Sequence, residues 1–146
     1  MHPIAILACL GAILSWGSAA IFDKLAIGYF KSPWSAMALR TTFAWAFVMV
    51  GAAFTRTLRD AFTVPKAAFL AMVLSGLLGG FLGMLFYYIA VRFEEVSRVV
   101  PVTATYPVVA FILGAVFLRE SVTLPKVLGL LMIVAGLALL TGGRGS

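Results

Sequence analysis

The groups able to do chemistry in this chain are few, and their positions decide what chemistry is open to it. The carboxylates are Asp23, Asp60, Glu94, Glu95 and Glu120, each at the edge of an apolar block or in a connection. The one histidine, His2, sits at the N-terminus, and the one cysteine, Cys9, has no second thiol to bridge. No paired acid and base, nucleophile triad or metal-ligating cluster emerges, so neither an enzyme nor a metal or cofactor site is expected. Arg40 is different. It is a charge inside an otherwise apolar block, and an ionisable side chain at such depth marks a functional site, here a grip on an anionic substrate group. The competing expectation is that Arg40 snorkels to the nearby interface and pairs with Asp23.

Polar and aromatic side chains supply the remaining candidates. Pro101 and Pro107 lack an N–H and free the carbonyls of Ser97 and Thr103, four residues earlier. Lipid cannot satisfy those carbonyls, so they must face protein or a watery cavity. Thr103, Thr105 and Tyr106 lie between the prolines, and broken helices with polar side chains are what transporters place around a midplane site. A kink satisfied by neighbouring helices is the alternative. Trp16 and Trp45 sit deep in their blocks, as walls of a cavity or as packed core, whereas Trp34 is placed to anchor at headgroup depth. Gly76, Gly80, Gly83 and Tyr87 fall on one helical stripe with Gly79 alongside, and Gly11, Ser15 and Ser18 form a similar face. Small residues let helix backbones approach closely in lipid, and a glycine stripe ending at a tyrosine can also border a cavity.

Those residues must be carried by membrane helices. Of 146 residues 63% are hydrophobic and 11% charged, with a mean hydropathy of +1.11. A soluble domain is closer to about half apolar and a quarter charged, and a globule of this size has too much surface to hide the excess. The net charge of +6 does not indicate nucleic acid, because the basic residues are scattered singly between apolar blocks. They suit lipid headgroups instead. A crossing helix needs about 20 apolar residues, and the blocks give an all-α integral membrane protein with five transmembrane helices. These are expected at about 3–22, 33–54, 66–91, 97–118 and 124–141, in one domain over residues 1–141 followed by a flexible tail at 142–146. Continuous apolar blocks exclude the alternation of a membrane barrel. Gly17-Ser18-Ala19 resembles a cleavage site, but no basic residue precedes the first block, so a cleaved leader is not expected.

The chain also contains a faint echo. Arg59, Asp60, Thr63, Pro65 and Lys66 correspond, 60 residues on, to Arg119, Glu120, Thr123, Pro125 and Lys126. Shared helix-start grammar and a duplicated hairpin both explain it. Five spans put Arg56, Arg59, Lys66, Arg119 and Lys126 on one side, against Lys24, Lys31, Arg92, Arg98 and Arg144 on the other, plus Arg40 if it snorkels. Orientation follows Lys/Arg asymmetry, and so balanced a chain is expected to insert both ways round and pair as an antiparallel homodimer.

The order of these features resembles an EamA domain of the drug/metabolite transporter superfamily, over almost the whole chain. The residues carrying the resemblance are Ser15-Trp16-Gly17-Ser18, Lys24-Leu25-Ala26, Ala38-Leu39-Arg40, Tyr88-Ile89-Ala90-Val91, Pro101, Tyr106-Pro107, Leu118-Arg119-Glu120 and Gly129 to Gly136. Residues 129–137 are also similar to the terminal-helix pairing motif of small multidrug resistance proteins. The resemblance implies export or exchange of small metabolites by a ten-helix fold of two inverted repeats, of which this domain is half. Most relatives carry both halves in one chain, so two chains are expected to combine, either as a homodimer or with a similar, oppositely oriented chain. An acid inside the first helix, as in the small multidrug proteins, is missing, which puts proton-coupled drug antiport in doubt. The resulting expectation is a transporter of the cell inner membrane working by alternating access. Trp16, Arg40, Trp45, Tyr87, Thr103 and Tyr106 would line the path, and Gly129 and Gly136 would hold the dimer. A non-transporting membrane subunit is the rival reading.

Overall fold

A computed structural model describes residues 2–142 of the chain; the expected tail residues 143–146 lie outside the described residues. The described residues form helices and turns without strands, and five helical stretches are long and apolar enough to cross a membrane: Pro3–Ile27, Pro33–Phe54, Lys66–Phe93, Val96–Phe117 and Leu124–Thr141. Contacts divide them into two units, one up to Phe93 and the other from Glu94 onward.

In the first unit, α1 (Pro3–Ile27) and α2 (Pro33–Phe54) each open with a proline at the first turn behind a side-chain cap. The imidazole of His2 accepts from the Ile4 N–H at 3.3 Å, and the Ser32 hydroxyl accepts from Trp34 N–H at 3.2 Å. These bonds satisfy donors that lipid could not. The helix α1 runs five residues past the expected 22, because Asp23 and Lys24 find partners inside the unit and need no loop. Hydroxyls within the spans bond back to their own helices, Ser18 to the Leu14 carbonyl at 2.7 Å and Thr42 to that of Ala38 at 2.9 Å.

The third span is not one regular helix. The α3 segment (Lys66–Ser75) passes into eight π-helical residues, Gly76–Gly83, and then into α4 (Met84–Phe93). Glycines 76, 79, 80 and 83 carry the widened turn, which loosens the ordinary hydrogen-bond ladder. Packing in the unit is confined to one end. The buried side chains there are Ala20 and Ile27 of α1, Ala36 and Met37 of α2, and Tyr88 and Val91 of α4. The helix α4 meets both α1 and α2, while α3 and the π segment bury nothing.

In the second unit the fourth span is broken in two. The α5 segment (Val96–Thr103) contains Pro101, and α6 (Tyr106–Phe117) has Pro107 in its first turn, with Ala104 and Thr105 between. The final helix is α7 (Leu124–Gly142), which packs on α5.

Candidate functional site

The first unit gathers its polar groups where its helices pack. Asp23 lies four residues before the end of α1, Arg40 seven after the start of α2, and Tyr88 five before the end of α4. By helical rise these depths are about 6, 10 and 8 Å from the respective helix ends. All three converge. The Tyr88 hydroxyl donates to Asp23 Oδ1 at 2.5 Å, and Arg40 Nε lies 3.5 Å from the same oxygen. Arg40 Nη1 also donates to the Met84 thioether at 3.2 Å. Tyr87 packs edge-on against Tyr88, with centroids 5.8 Å apart.

Two further bonds tie the same end together. Lys24 Nζ donates to the Val91 carbonyl at 2.8 Å, and Arg92 Nη1 to the Lys31 carbonyl at 2.9 Å. The outcome is a charged, hydrogen-bonded cluster inside otherwise apolar helices. The Asp23 side chain is only 11% exposed and that of Arg40 37%, so the carboxylate is turned inward and the guanidinium toward the open side.

The other expected residues are placed differently. Trp16 and Trp45 are 66% and 62% exposed on α1 and α2, so neither is core of this chain. Trp34, itself half exposed, contacts Phe81 of the π segment, with ring centroids 5.7 Å apart. In the second unit the Thr103 hydroxyl donates to the Val99 and Val100 carbonyls, each at 3.0 Å. Thr105 bonds the Val102 carbonyl at 2.6 Å. The two threonines thus secure the backbone around the break. Tyr106 and Pro107 line a groove along α6 that continues past Gly114 and Phe117 to Glu120.

Sequence reasoning named Asp23 as a partner of Arg40 but missed Tyr88 as the second donor and Met84 as the guanidinium's neighbour. Spacing held a clue, since Met84, Tyr88 and Val91 share one face of α4 at helical intervals. By sequence Glu120 is a plain helix-end acid. In the structure its carboxylate covers Gly114, where an added Cβ would lie 3.3 Å from Oε2.

Five apolar helices, with a charged cluster where three of them meet, define a multi-pass membrane protein. The chain belongs to the EamA-like transporter family, whose model matches residues 3–142, and through it to the drug/metabolite transporter superfamily. An uncharacterized transporter of Bacillus subtilis, YvbV, is 27% identical over 137 residues, which cover 93% of this chain and 44% of that protein. The chain therefore spans under half the length of that relative. A second, described as an uncharacterized transporter in the cobO 3′ region of Sinorhizobium, is 29% identical over 83% of this chain and 84% of its own length. No solved structure matches.

Proposed function

We propose that this domain is one half of a small-metabolite exporter or exchanger that works by alternating access with a second, inverted five-helix domain in the cell inner membrane. The observation that carries the reading is the Asp23–Arg40–Tyr88 cluster. Ionised groups are expensive in lipid and mark substrate paths, and this cluster lies where three helices meet. The packing supports the second half. Core residues of the first unit occupy one end only, so the remainder of α1, α2 and α3 is free to open and close against a partner. Gly129 and Gly136 of α7 have open space where a Cβ would stand, as a close helix crossing needs.

Trp16, Arg40, Trp45, Tyr87, Thr103 and Tyr106 are the proposed lining. Pro101 and Pro107 let the fourth span flex. The partner half is a second copy, inverted, or a similar chain of opposite orientation. The test is purified protein in sealed vesicles, offered a broad panel of metabolites. Saturable movement of at least one compound, reduced by Trp45→Ala, is expected; no movement of any compound would remove the reading.

A further inference from the structure

We infer that Arg40 is the receptor for an oxyanion of the transported solute, a carboxylate or phosphate, with Asp23 steadying the guanidinium and Met84 occupying the anion's place. The inference rests on the transport reading and adds the chemical class of the cargo.

The donor count of the guanidinium is the starting point. Arginine carries five N–H donors in a planar fork and cannot be deprotonated in a protein. Here Nε is directed to Asp23 and Nη1 to the Met84 sulfur. Among the described residues no other acceptor meets Arg40. A thioether is a weak acceptor, whereas a carboxylate or phosphate would take two parallel, charge-assisted bonds from the fork. The thioether is on a flexible side chain and is readily displaced.

Exposure and charge point the same way. Asp23 is turned inward and engaged by Tyr88, while Arg40 is the more open of the pair. A solute arriving at the cluster therefore meets positive charge first. A solute anion is drawn to that guanidinium and a cation is repelled by it.

A lipid phosphate offers the same chemistry as a soluble oxyanion, so the experiment separates them. The full chain is placed in nanodiscs of phosphatidylcholine and, in a second arm, of phosphatidylcholine with phosphatidylglycerol. Unfolding midpoints are read at constant ionic strength against acetate, benzoate, succinate, glycerol phosphate, benzylamine and ethanolamine. At least one soluble oxyanion is expected to raise the midpoint in the zwitterionic discs, and the amines are not. Arg40→Lys keeps the charge and loses the fork, so half-saturation should rise about tenfold, the equivalent of one good contact. Arg40→Gln should abolish the response, and Met84→Leu should preserve or sharpen it. Stabilisation by phosphatidylglycerol alone would assign Arg40 to lipid and overturn the inference. So would a response to amines only, no response to any soluble oxyanion, or an oxyanion response unchanged in both Arg40 variants. Vesicle uptake is scored separately: uptake of amines or neutral solutes alone would sink the inference and leave the transport reading standing, whereas oxyanion binding without uptake of any solute would remove the transport reading and, with it, the assignment of the oxyanion as cargo.

Discussion

At Asp23 two donors share one carboxylate oxygen, and their unequal partners set what each substitution costs. Tyr88→Phe removes the 2.5 Å bond but leaves Arg40 to balance the charge. Interhelical polar bonds in membranes are worth about 0.6 kcal/mol on average, so a loss of that order in reversible unfolding is expected. Asp23→Asn weakens both contacts, and the double variant should lose less than the sum of the two singles, since they touch one another. Strict additivity would show that the hydroxyl bond contributes nothing. Thr103 gives a contrasting case. Its hydroxyl bonds back within its own helix beside Pro101, a bond that adds little to the helix, so Thr103→Val is expected to change transport while leaving stability nearly unchanged. Lost stability with transport intact would confine the hydroxyl to the backbone and remove it from the lining.

Backbone conformation governs the predictions for whole elements. In the π segment an alanine at 79 or 80 would project into open space, but at 83 its Cβ would stand 3.2 Å from the Leu78 carbonyl oxygen. Alanine gains up to about 1 kcal/mol over glycine in a helix. Gly79→Ala should therefore be neutral or stabilising in the monomer and Gly83→Ala destabilising, as thermal unfolding in detergent would reveal. Helices α2 and α6 both end just before an arginine in the left-handed region, Arg56 at φ 57° and Arg119 at φ 54°. That conformation costs a side-chain-bearing residue about 1 kcal/mol, so Arg119→Gly should raise stability by that order. The 60-residue echo does not extend to backbone conformation. Arg59 is right-handed where Arg119 is left-handed, and Asp60 opens a 3-10 turn while Glu120 lies over Gly114. Shared helix-start grammar accounts for such a match better than a copied hairpin does.

For the whole protein the central proposal is pairing with an inverted half. Cys9, the single native thiol, is exposed, so it is first replaced by serine, and a reporter cysteine is then placed at Thr57 in the α2–α3 connection. Dual insertion predicts that an impermeant thiol reagent labels about half the molecules from one side, because neither side holds a clear excess of Lys and Arg. Complete labelling from one side would require the inverted half to be a different chain. Crosslinking through Gly136→Cys then separates a homodimer from a heterodimer.

Composition and block length by themselves determined the membrane class, the five crossing helices and the break around Pro101 and Pro107. Each of these follows from local physics: lipid demands continuous apolar helices of a set length, and proline lacks a donor wherever it stands. The nomination of Arg40 was equally local, since a charge is conspicuous in an apolar block. Asp23 was legible as a partner, an acid at the near end of the neighbouring block, but the rest of the cluster was decided only by the tertiary structure. Met84 and Tyr88 are 44 and 48 residues from Arg40 in the chain, and no periodicity along one helix specifies its rotation against another. The π turn at Gly76–Gly83 depends likewise on packing, because glycine permits a widened turn without requiring it.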